Sequence, residues 1–549
     1  MLAVVCFYAV NNYIWLRLDA PFPTFHYYAF DFGRVMEFYN LFQKFDLSFL
    51  IDQIIKVHNL FFHALAVAFT ALIFQKSYIA IILFNNILYF TIAIISIYSI
   101  AKKIFDKPTG LLAVAIFSLY PAVYGLSRFY VIEFAVMGMI PLCVLYLLNT
   151  EEFTNRKYSL LFGLALGWAM MIKYSAVTFI IGPLLYVLVK ALIFRQRDKV
   201  TKLLPVILNI GLSAFAAAAV TGIKYFNFNN IKFYLSHPLL EVIPGQEWYK
   251  LNSLRVYTAG LFDQQLSLVF FFVLLFASPV FFFKVKRKII IILFTWIIVP
   301  WLILVTMPNS YRSAHFIIPY LPAIALISAA GLTQALKRSK KLKAIIIVLI
   351  LAIGIIQYYD FSFGLGFNLS NWKVKITKGW TIHNYILSEN VCRRPESSKI
   401  YDEVILLFAK YSDKHDSKVL VLPPSVSYSY VQAQVWDCIA WLRDLPIVAL
   451  DANRQFIDKV LERLEEVDFI LCAGNKDIKD SSYLDHTLMR VRNLYRKELD
   501  NETLVKIDQF LAGDVKMFRE NFYRRVSKFV LIETIPYKET CFRIYKKQR

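Results

Sequence analysis

Charged residues are scarce in this chain. Of its 549 residues, 18% are Asp, Glu, Lys or Arg, whereas 58% are hydrophobic. A soluble protein of this length would carry more charge and would divide into several soluble domains. The shortage of charge therefore excludes an ordinary soluble protein and indicates a chain that lies largely in a membrane.

Several motifs that would point to other functions are also missing. The six cysteines form no Cys-x-x-Cys pair, which argues against a zinc site. No Gly-x-Gly-x-x-Gly follows a predicted strand, so nothing indicates nucleotide binding. No internal repeat is visible, and Asn85 with Asn86 is the one notable polar pair inside an apolar run, which disfavours a transporter.

Acidic residues are few, and the basic residues lie in particular places. The chain has 61 Lys and Arg against 39 Asp and Glu, a net charge of +22. In a soluble protein this excess would suggest a nucleic acid as partner. Here the basic residues cluster in short loops between apolar runs, which is typical of cytoplasmic loops and of contact with anionic lipid headgroups. We therefore expect a membrane lipid as partner, and no nucleic acid.

The apolar runs predict a polytopic helical membrane protein with about eleven spans. The predicted spans are residues 2–16, 79–100, 109–126, 133–149, 158–173, 175–192, 203–222, 264–283, 289–306, 315–335 and 344–358. A further apolar run, 59–75, is interpreted as an interfacial or re-entrant helix, because all five basic loops then fall on the cytoplasmic side. This topology places the segments 17–78 and 223–263 and the whole tail outside the cytoplasm, most simply at a plasma or inner membrane.

The tail has a different composition. We predict a transmembrane domain over residues 1–358 and a soluble extracytoplasmic α/β domain over 359–549. Short apolar runs at 418–424, 447–451 and 468–474 predict buried strands, and helical periodicity between them favours parallel pairing. The runs 528–535 and 541–547 are expected to complete the sheet.

The predicted outer segments hold the residues that could carry chemistry. Transfer of a sugar from a lipid phosphate needs a carboxylate that takes or orients the acceptor proton. It also needs cations that hold the phosphate as negative charge develops on it. The candidate catalytic carboxylates are Asp31, Glu133 and Asp19. The candidate substrate- and phosphate-binding residues are Arg128, Lys173, Arg312, His26 and His58.

Each candidate also has a structural alternative. An Arg at the end of a span is often an anchor whose charge reaches the membrane surface. Lys173 and Glu133 instead interrupt apolar surroundings, where a charge is costly, and this favours a functional role. His26, Asp31 and His58 could hold a divalent metal, but their spacing is a weak signal, and we assign no cofactor.

The order of four motifs resembles that of the GT-C membrane glycosyltransferases, in particular the family 39-like branch of protein O-mannosyltransferases and aminoarabinose transferases. RLDAPFPTFHYYAFDFGRVMEFYN resembles the first outer loop of that family, and AKKIFDKPTGLLAVAIFSLYPAVYGLSRFYVIEF its basic turn and second acidic motif. GLALGWAMMIKYSAV resembles the Gly-rich span that ends in a lysine, and YRSAHFIIPYLPAIAL the late Arg and Pro motif.

The resemblance implies a polyprenyl- or dolichyl-phosphate sugar donor, an outer-face active site and a soluble outer tail. It implies that Glu133 is the second acidic residue and that Lys173 and Arg312 contact the phosphate. His26 stands where the family has its catalytic Asp, and Asp31 where the family has a His. Asp31 could have taken over the acidic role, Asp19 could reach the site, or the site could be impaired.

We therefore predict a glycosyltransferase that uses a lipid-phosphate sugar donor and an acceptor that is a lipid, a glycan or a protein. Two alternatives remain open at this point. One is a catalytically impaired GT-C relative that binds a lipid-linked sugar, and the other is a polytopic transporter of lipid or solute.

Overall fold

The chain forms two compact units, which we describe separately. The computed structural model describes residues 1–18, 26–44, 61–192, 203–225, 251–306, 314–367, 369, 373–377, 380–383, 398–412, 417–422, 447–451, 464–473, 478–479, 516–537 and 540–548. The first unit comprises residues 1–18, 38–75 and 79–395, and the second comprises 19–37, 76–78 and 396–549. The predicted domain boundary after residue 358 stays a prediction.

The first unit is almost entirely helical. Its helices, with the shared helix α2, are α1 (Leu2–Leu18), α2 (His26–Lys44), α3 (Phe61–Ile73), α4 (Tyr78–Ile104), α5 (Lys107–Ser118), α6 (Pro121–Leu126), α7 (Ile132–Asn149), α8 (Arg156–Ile172), α9 (Ala176–Leu192), α10 (Leu203–Tyr225), α11 (Leu251–Gly260), a π-helix (Leu261–Leu266), α12 (Ser267–Lys284), α13 (Arg287–Thr306), a 3-10 helix (Ala314–Tyr320), α14 (Leu321–Ala335) and α15 (Lys340–Phe363). A hairpin of strands β1 (Lys373–Thr377) and β2 (Trp380–His383) follows. The predicted fold class, a polytopic helical membrane protein with a C-terminal α/β region, is confirmed.

One predicted span is interrupted. The run 109–126 forms two helices, α5 and α6, because Pro121 cannot continue the first helix and instead begins the second. Asp106 starts α5 by accepting a hydrogen bond from the Thr109 amide, 2.7 Å away, and Pro108 follows at the helix start. The segment 17–78, predicted to lie outside the cytoplasm, also contains the helix α2.

Seven helical segments in the described ranges are long and apolar enough to cross a bilayer. They are Tyr78–Ile104, Ile132–Asn149, Leu203–Gly222, Ser267–Lys284, Arg287–Thr306, Phe316–Ala335 and Lys340–Phe363. The protein is therefore an integral membrane protein. Helix α3 has 13 residues, fewer than the roughly 20 that a transmembrane helix needs. The number of spans, predicted as about eleven, stays a prediction.

Small residues let the helices pack closely. A Cβ atom on Gly163 of α8 would lie 2.2 Å from the carbonyl oxygen of Ser213 on α10, and Gly167 meets Ala217 one turn further along. The GxxxG spacing of the two glycines brings two membrane helices into backbone contact. Helix α14 is almost entirely enclosed, since every residue from Leu321 to Thr333 is buried.

An ionic cluster marks one end of the bundle. Glu152, just after α7, accepts hydrogen bonds from Lys190 of α9 at 2.5 Å and from Lys288 of α13 at 3.1 Å. Lys103 at the end of α4 donates to Asn149 at 2.5 Å. Two of the predicted basic loops, through Lys103 and Lys288, therefore lie at this end. Helix α7 has 18 residues, so its other end lies about 27 Å away, close to the thickness of the hydrocarbon core.

The second unit contains the predicted α/β sheet. Helix α16 (Ser398–Tyr411) precedes strands β3 (Ser417–Leu422), β4 (Ile447–Asp451) and β5 (Phe469–Ala473), and helix α17 (Lys516–Val526) precedes β6 (Phe529–Tyr537) and β7 (Thr540–Lys547). The strand order is β4-β3-β5-β7-β6. Strand β3 pairs in parallel with β4 and β5, whereas β7 is antiparallel to β5 and β6. The parallel pairing and the two closing strands are as predicted.

Candidate functional site

The segment 127–131, which we call the tethered turn, leads from α6 into α7 and presents Glu133 at the start of α7. The Asn86 side-chain amide of α4 donates to the carbonyl oxygens of Ser127 and Phe129, both at 2.9 Å. The Asn12 amide of α1 donates to the Ser127 hydroxyl at 2.8 Å. Two spans thus fix the segment that leads into α7. Glu133 lies in the first helical turn, where the helix dipole favours a carboxylate, and the residue is 7% exposed.

Lys173 reaches Glu133 from the end of α8. The lysine is the C-terminal cap of that helix, with an extended backbone, and its carbonyl accepts from the Ala176 amide at 2.9 Å, so that α9 begins at once. Its ammonium group forms an ion pair with the Glu133 carboxylate. The Lys173 side chain is 25% exposed and that of Glu133 is 10% exposed. The structure therefore brings together two residues that lie 40 positions apart in the sequence.

An aromatic ring also faces this lysine. Lys173 Nζ lies 4.7 Å from the ring centroid of Phe316, which belongs to the 3-10 helix before α14. A cation over a ring face is held by the electrostatic attraction of the ring. Because Lys173 also pairs with Glu133, Phe316 lies at the same end of the bundle as Glu133.

His63 is a component of the site that the sequence reasoning missed. Its ring stacks on that of Tyr130, with a centroid distance of 5.0 Å and an angle of 4°, and meets the edge of Tyr89 at 5.5 Å. The residue is 1% exposed, and its Nδ1 atom has no hydrogen-bond partner among the described residues. His63 interacts electrostatically with Glu133. A lone His in the apolar run NLFFHALAV gives no sequence signal that separates this role from core packing.

Arg128 lies in a separate cluster on the other side of the tethered turn. The residue is fully buried, and its Nε and Nη2 atoms donate to Asn12 Oδ1 at 3.2 Å and to Ser362 Oγ at 2.7 Å. Three rings lie 5.1 to 5.6 Å from the guanidinium carbon, and they belong to Trp15, Tyr124 and Tyr358. Arg128 Nη1 has no hydrogen-bond partner in the described part of the chain. Arg128 thus ties α1 and α15 to the turn before Glu133.

The other predicted site residues are not placed. Asp19, His58 and Arg312 lie outside the described residues. His26 and Asp31 belong to α2 by their backbone, and their side chains are outside the description. Among the described residues, no group of three His, Cys, Asp or Glu side chains could hold a metal ion. The weak metal set of His26, Asp31 and His58 therefore remains untested.

Two solved structures share this architecture. The crystal structure of ArnT from Cupriavidus metallidurans bound to undecaprenyl phosphate matches with a TM-score of 0.55 and 11% identity, over 99% of this chain and 97% of that chain. The apo structure of the same protein matches with a TM-score of 0.53 and 12% identity, over 86% and 92%. The chain has a GT-C fold. The resemblance drawn from the motifs is thus confirmed at the level of the fold.

A family model also matches part of the sequence. The model of dolichyl-phosphate-mannose-protein mannosyltransferases matches residues 58–220. The match includes His63, Arg128, Glu133 and Lys173 and excludes Asp31 and the residues before it. No curated protein matches the sequence significantly.

Proposed function

We propose that the protein transfers a sugar from a polyprenyl- or dolichyl-phosphate donor to an acceptor at the extracytoplasmic face of the membrane. The observation that carries this proposal is the Glu133–Lys173 ion pair, which joins a carboxylate and a cation at one end of the membrane helices. The undecaprenyl phosphate bound to ArnT and the dolichyl-phosphate-mannose donor named by the family model support a lipid-phosphate donor.

The orientation follows from the charges. The Glu152 cluster, with Lys103 and Lys288 of two basic loops, lies at the opposite end of α7 from Glu133. Because Lys- and Arg-rich loops stay in the cytoplasm, the end that carries Glu133 faces outward. By the same rule we propose that the C-terminal α/β domain lies outside the cytoplasm, which is also the expectation from the sequence.

Lys173 is proposed to bind the donor phosphate. The ammonium is partly exposed and is already paired with a carboxylate, so a phosphate oxygen can replace that carboxylate. As the bond from the anomeric carbon to phosphate breaks, negative charge grows on the leaving phosphate, and Lys173 stabilises it. Arg312, His26 and His58 are proposed as further contacts to the donor.

Glu133 is proposed to act on the acceptor. The donor and Glu133 compete for Lys173 in this scheme, so donor binding releases the carboxylate. The released carboxylate then takes the acceptor hydroxyl proton while the acceptor oxygen bonds to the anomeric carbon and the lipid phosphate departs. A single displacement of this kind inverts the anomeric configuration. Asp31, or Asp19, is proposed as the second catalytic carboxylate.

Arg128 is proposed to support the site through the tethered turn. Its three aromatic neighbours and two hydrogen bonds hold the segment that presents Glu133. Since Nη1 has no partner among the described residues, we propose that this nitrogen donates to a phosphate oxygen.

A transfer assay tests the proposal. Membranes that contain the protein receive radiolabelled polyprenyl-phosphate sugar, and label transferred to the membrane, glycan and protein fractions is measured. We expect Glu133→Gln and Lys173→Met to abolish transfer. Glu152→Gln is the matched control, since it also removes a lysine-paired glutamate but at the other end of α7. Full transfer by Glu133→Gln would refute the proposed role of that residue.

Two further measurements separate the alternatives. Binding of the donor without turnover in the wild-type protein would indicate an impaired relative. Flux of labelled lipid or solute across proteoliposomes, without transfer, would indicate a transporter.

A further inference from the structure

Arg128 places a positive charge in the interior of the first unit. The residue is fully buried, and an arginine side chain is always charged in proteins. The groups that it contacts among the described residues are Asn12, Ser362 and three aromatic rings, and all of them are uncharged. A buried charge without a counter-charge is strongly unfavourable, so this guanidinium favours an anion as a further partner.

The acid of α15 that lies near this cluster in the sequence has other partners. Asp360, close to Ser362 on the same helix, accepts hydrogen bonds from the backbone amides of Phe367 at 2.9 Å and Leu369 at 2.8 Å. The Asp360 carboxylate therefore holds the turn that follows α15. The hydrogen bonds of Arg128 go to uncharged groups instead.

A second buried donor lies beside Arg128. The indole of Trp15 on α1 is 2% exposed, and its ring centroid is 5.1 Å from the guanidinium carbon. Trp15 Nε1 and Arg128 Nη1 both lack a hydrogen-bond partner in the described part of the chain. Each nitrogen can donate a hydrogen bond and cannot accept one, so the two cannot satisfy each other. Burial of unpaired donors costs free energy, and an acceptor shared by both would remove this cost.

Trp296 shows how a buried indole is ordinarily satisfied. It is 0% exposed, and its Nε1 atom donates to the carbonyl oxygen of Pro319 at 3.2 Å. Buried Trp N–H groups usually have such a partner. The unpaired nitrogen of Trp15 thus departs from this pattern, and it does so next to a cation.

We propose that Arg128 Nη1 and Trp15 Nε1 together bind one phosphate group. A phosphate supplies the negative charge, and its several oxygens can accept from both nitrogens. The planar guanidinium also suits phosphate geometry. The proposed function already gives Nη1 a phosphate oxygen, so this inference rests on it in that respect and adds Trp15 as a second donor. The phosphate belongs to a lipid headgroup or is free inorganic phosphate, since both present the same oxygens.

Entry of the phosphate requires a local movement. Both nitrogens are enclosed, so the side chains that cover them must shift before an anion reaches them. Binding that requires such a change is slower than docking onto a preformed surface. No covalent bond forms or breaks in this step.

Two tryptophan substitutions test the proposal by binding alone. The affinities of inorganic phosphate and of a polyprenyl phosphate are measured by isothermal titration calorimetry on the nanodisc-embedded full chain, with sodium chloride at equal ionic strength as the blank. We expect Trp15→Phe to weaken binding of at least one of them about tenfold, the size of one hydrogen bond to a charged group. The phenyl ring still faces Arg128. Trp296→Phe, the matched control, removes the same atoms elsewhere and should leave both affinities unchanged.

A packing role of Trp15 gives a different pattern. Equal affinities in the wild type and Trp15→Phe would overturn the proposal, and so would equal weakening by the two variants. Thermal unfolding checks that each variant is folded. If Trp15→Phe does not fold, Trp15→Tyr takes its place, because it also lacks the indole N–H.

Nitrogen-15 NMR of the indole groups supplies a readout that a change in packing does not imitate. The Trp15 N–H signal is assigned by its absence from the variant. We expect it to move downfield when phosphate is added, because the N–H gains an acceptor, and we expect the Trp296 signal to stay in place. Movement with inorganic phosphate alone would identify the free anion as the ligand, and movement with polyprenyl phosphate would identify the headgroup. Either result supports the site, and no movement with either ligand would overturn it.

The transfer assay separates failure of this inference from failure of the proposed function. Phosphate binding that depends on Trp15, in a wild type that transfers no sugar, would support the inference and refute the proposed function. Sugar transfer by a wild type whose phosphate affinity is unaffected by Trp15→Phe would do the reverse. A wild type that neither binds phosphate nor transfers sugar would refute both.

Discussion

Gly138 of α7 lies directly against the backbone of Tyr89 on α4. A Cβ atom at position 138 would come within 2.6 Å of the Tyr89 carbonyl oxygen and 2.9 Å of its Cβ. Tyr89 is also the residue whose ring meets the edge of His63. The close approach of the two helices therefore positions one wall of the candidate site.

Replacement of Gly138 should separate these helices. We expect Gly138→Val to lower the thermal unfolding temperature and to reduce transfer, because α4 backbone atoms must move to admit the side chain. Overpacking of this kind costs about 1–3 kcal/mol. Gly211→Ala is the matched control, since a Cβ there meets nothing within 4 Å. Equal stability of the two variants would contradict the packing account.

Asn86 should matter more than its neighbour Asn85. The Asn86 amide bonds two carbonyls of the tethered turn, whereas the Asn85 amide donates to Ile81 within its own helix at 2.8 Å. We expect Asn86→Ala to destabilise the protein by about 1–3 kcal/mol, the range for leaving a buried acceptor unsatisfied, and to reduce transfer. Asn85→Ala should have the smaller effect on transfer. Thermal unfolding and the radiolabel assay measure the two quantities.

Glu133→Gln should bind a lipid phosphate more tightly than the wild type, although it cannot complete transfer. The glutamine no longer competes for the Lys173 ammonium, so phosphate does not have to break an ion pair. A gain on the order of tenfold corresponds to about 1.4 kcal/mol. Lys173→Met should lose binding. Weaker binding by Glu133→Gln would show that the carboxylate does not compete with the donor.

The Glu152 cluster should make stability depend on pH. Burial alone raises the pKa of Glu152, but hydrogen bonds and charge from Lys190 and Lys288 outweigh burial and hold the pKa below the ordinary value of 4.5. A carboxyl whose folded-state pKa is lowered stabilises the protein above its unfolded pKa. This stability is lost as the pH falls from about 4.5 through the lower folded-state value.

The unfolding temperature measured between neutral pH and pH 3 should therefore fall less in Glu152→Gln than in the wild type. The variant starts from a lower stability at neutral pH because it lacks the charge. Identical pH profiles for the two proteins would contradict the lowered pKa.

Arg128 should not be replaceable by lysine. The guanidinium uses two nitrogens to bond Asn12 and Ser362 while its plane contacts aromatic rings, and an ammonium cannot reproduce this geometry. We expect Arg128→Lys to lower the unfolding temperature and transfer together. Ser362→Ala removes one of the two hydrogen bonds and should give a milder loss of both. Unchanged stability in Arg128→Lys would contradict the anchoring role.

The sequence allowed most of the helices and the strands of the tail to be predicted, because apolar length and period depend on local composition. It also singled out Glu133 and Lys173, since a charge inside apolar surroundings is conspicuous. The meeting of the two residues depends on the three-residue connection between α8 and α9 and on the tether from Asn86. Those features follow from contacts across 40 or more positions, which one sequence does not reveal.

Other features of the structure were not predicted. The break at Pro121 separates one apolar run into two helices, although composition on either side is continuous. Arg128 and Glu133 are five residues apart, yet their side chains enter different clusters because the turn between them changes direction. His63 looks like any apolar-face histidine until its neighbours are known.

The ring of Phe316 beside Lys173 is expected to affect the last step of the proposed reaction, the release of the lipid carrier. A benzene face draws in a cation through its quadrupole while contributing no net charge of its own. In the proposed scheme the ring therefore adds no anion beside Glu133, and its attraction for the ammonium helps the spent lipid carrier to leave. Speed of carrier release, measured by stopped-flow after a single turnover, should fall when Phe316 is exchanged for leucine, which fills space but lacks this attraction.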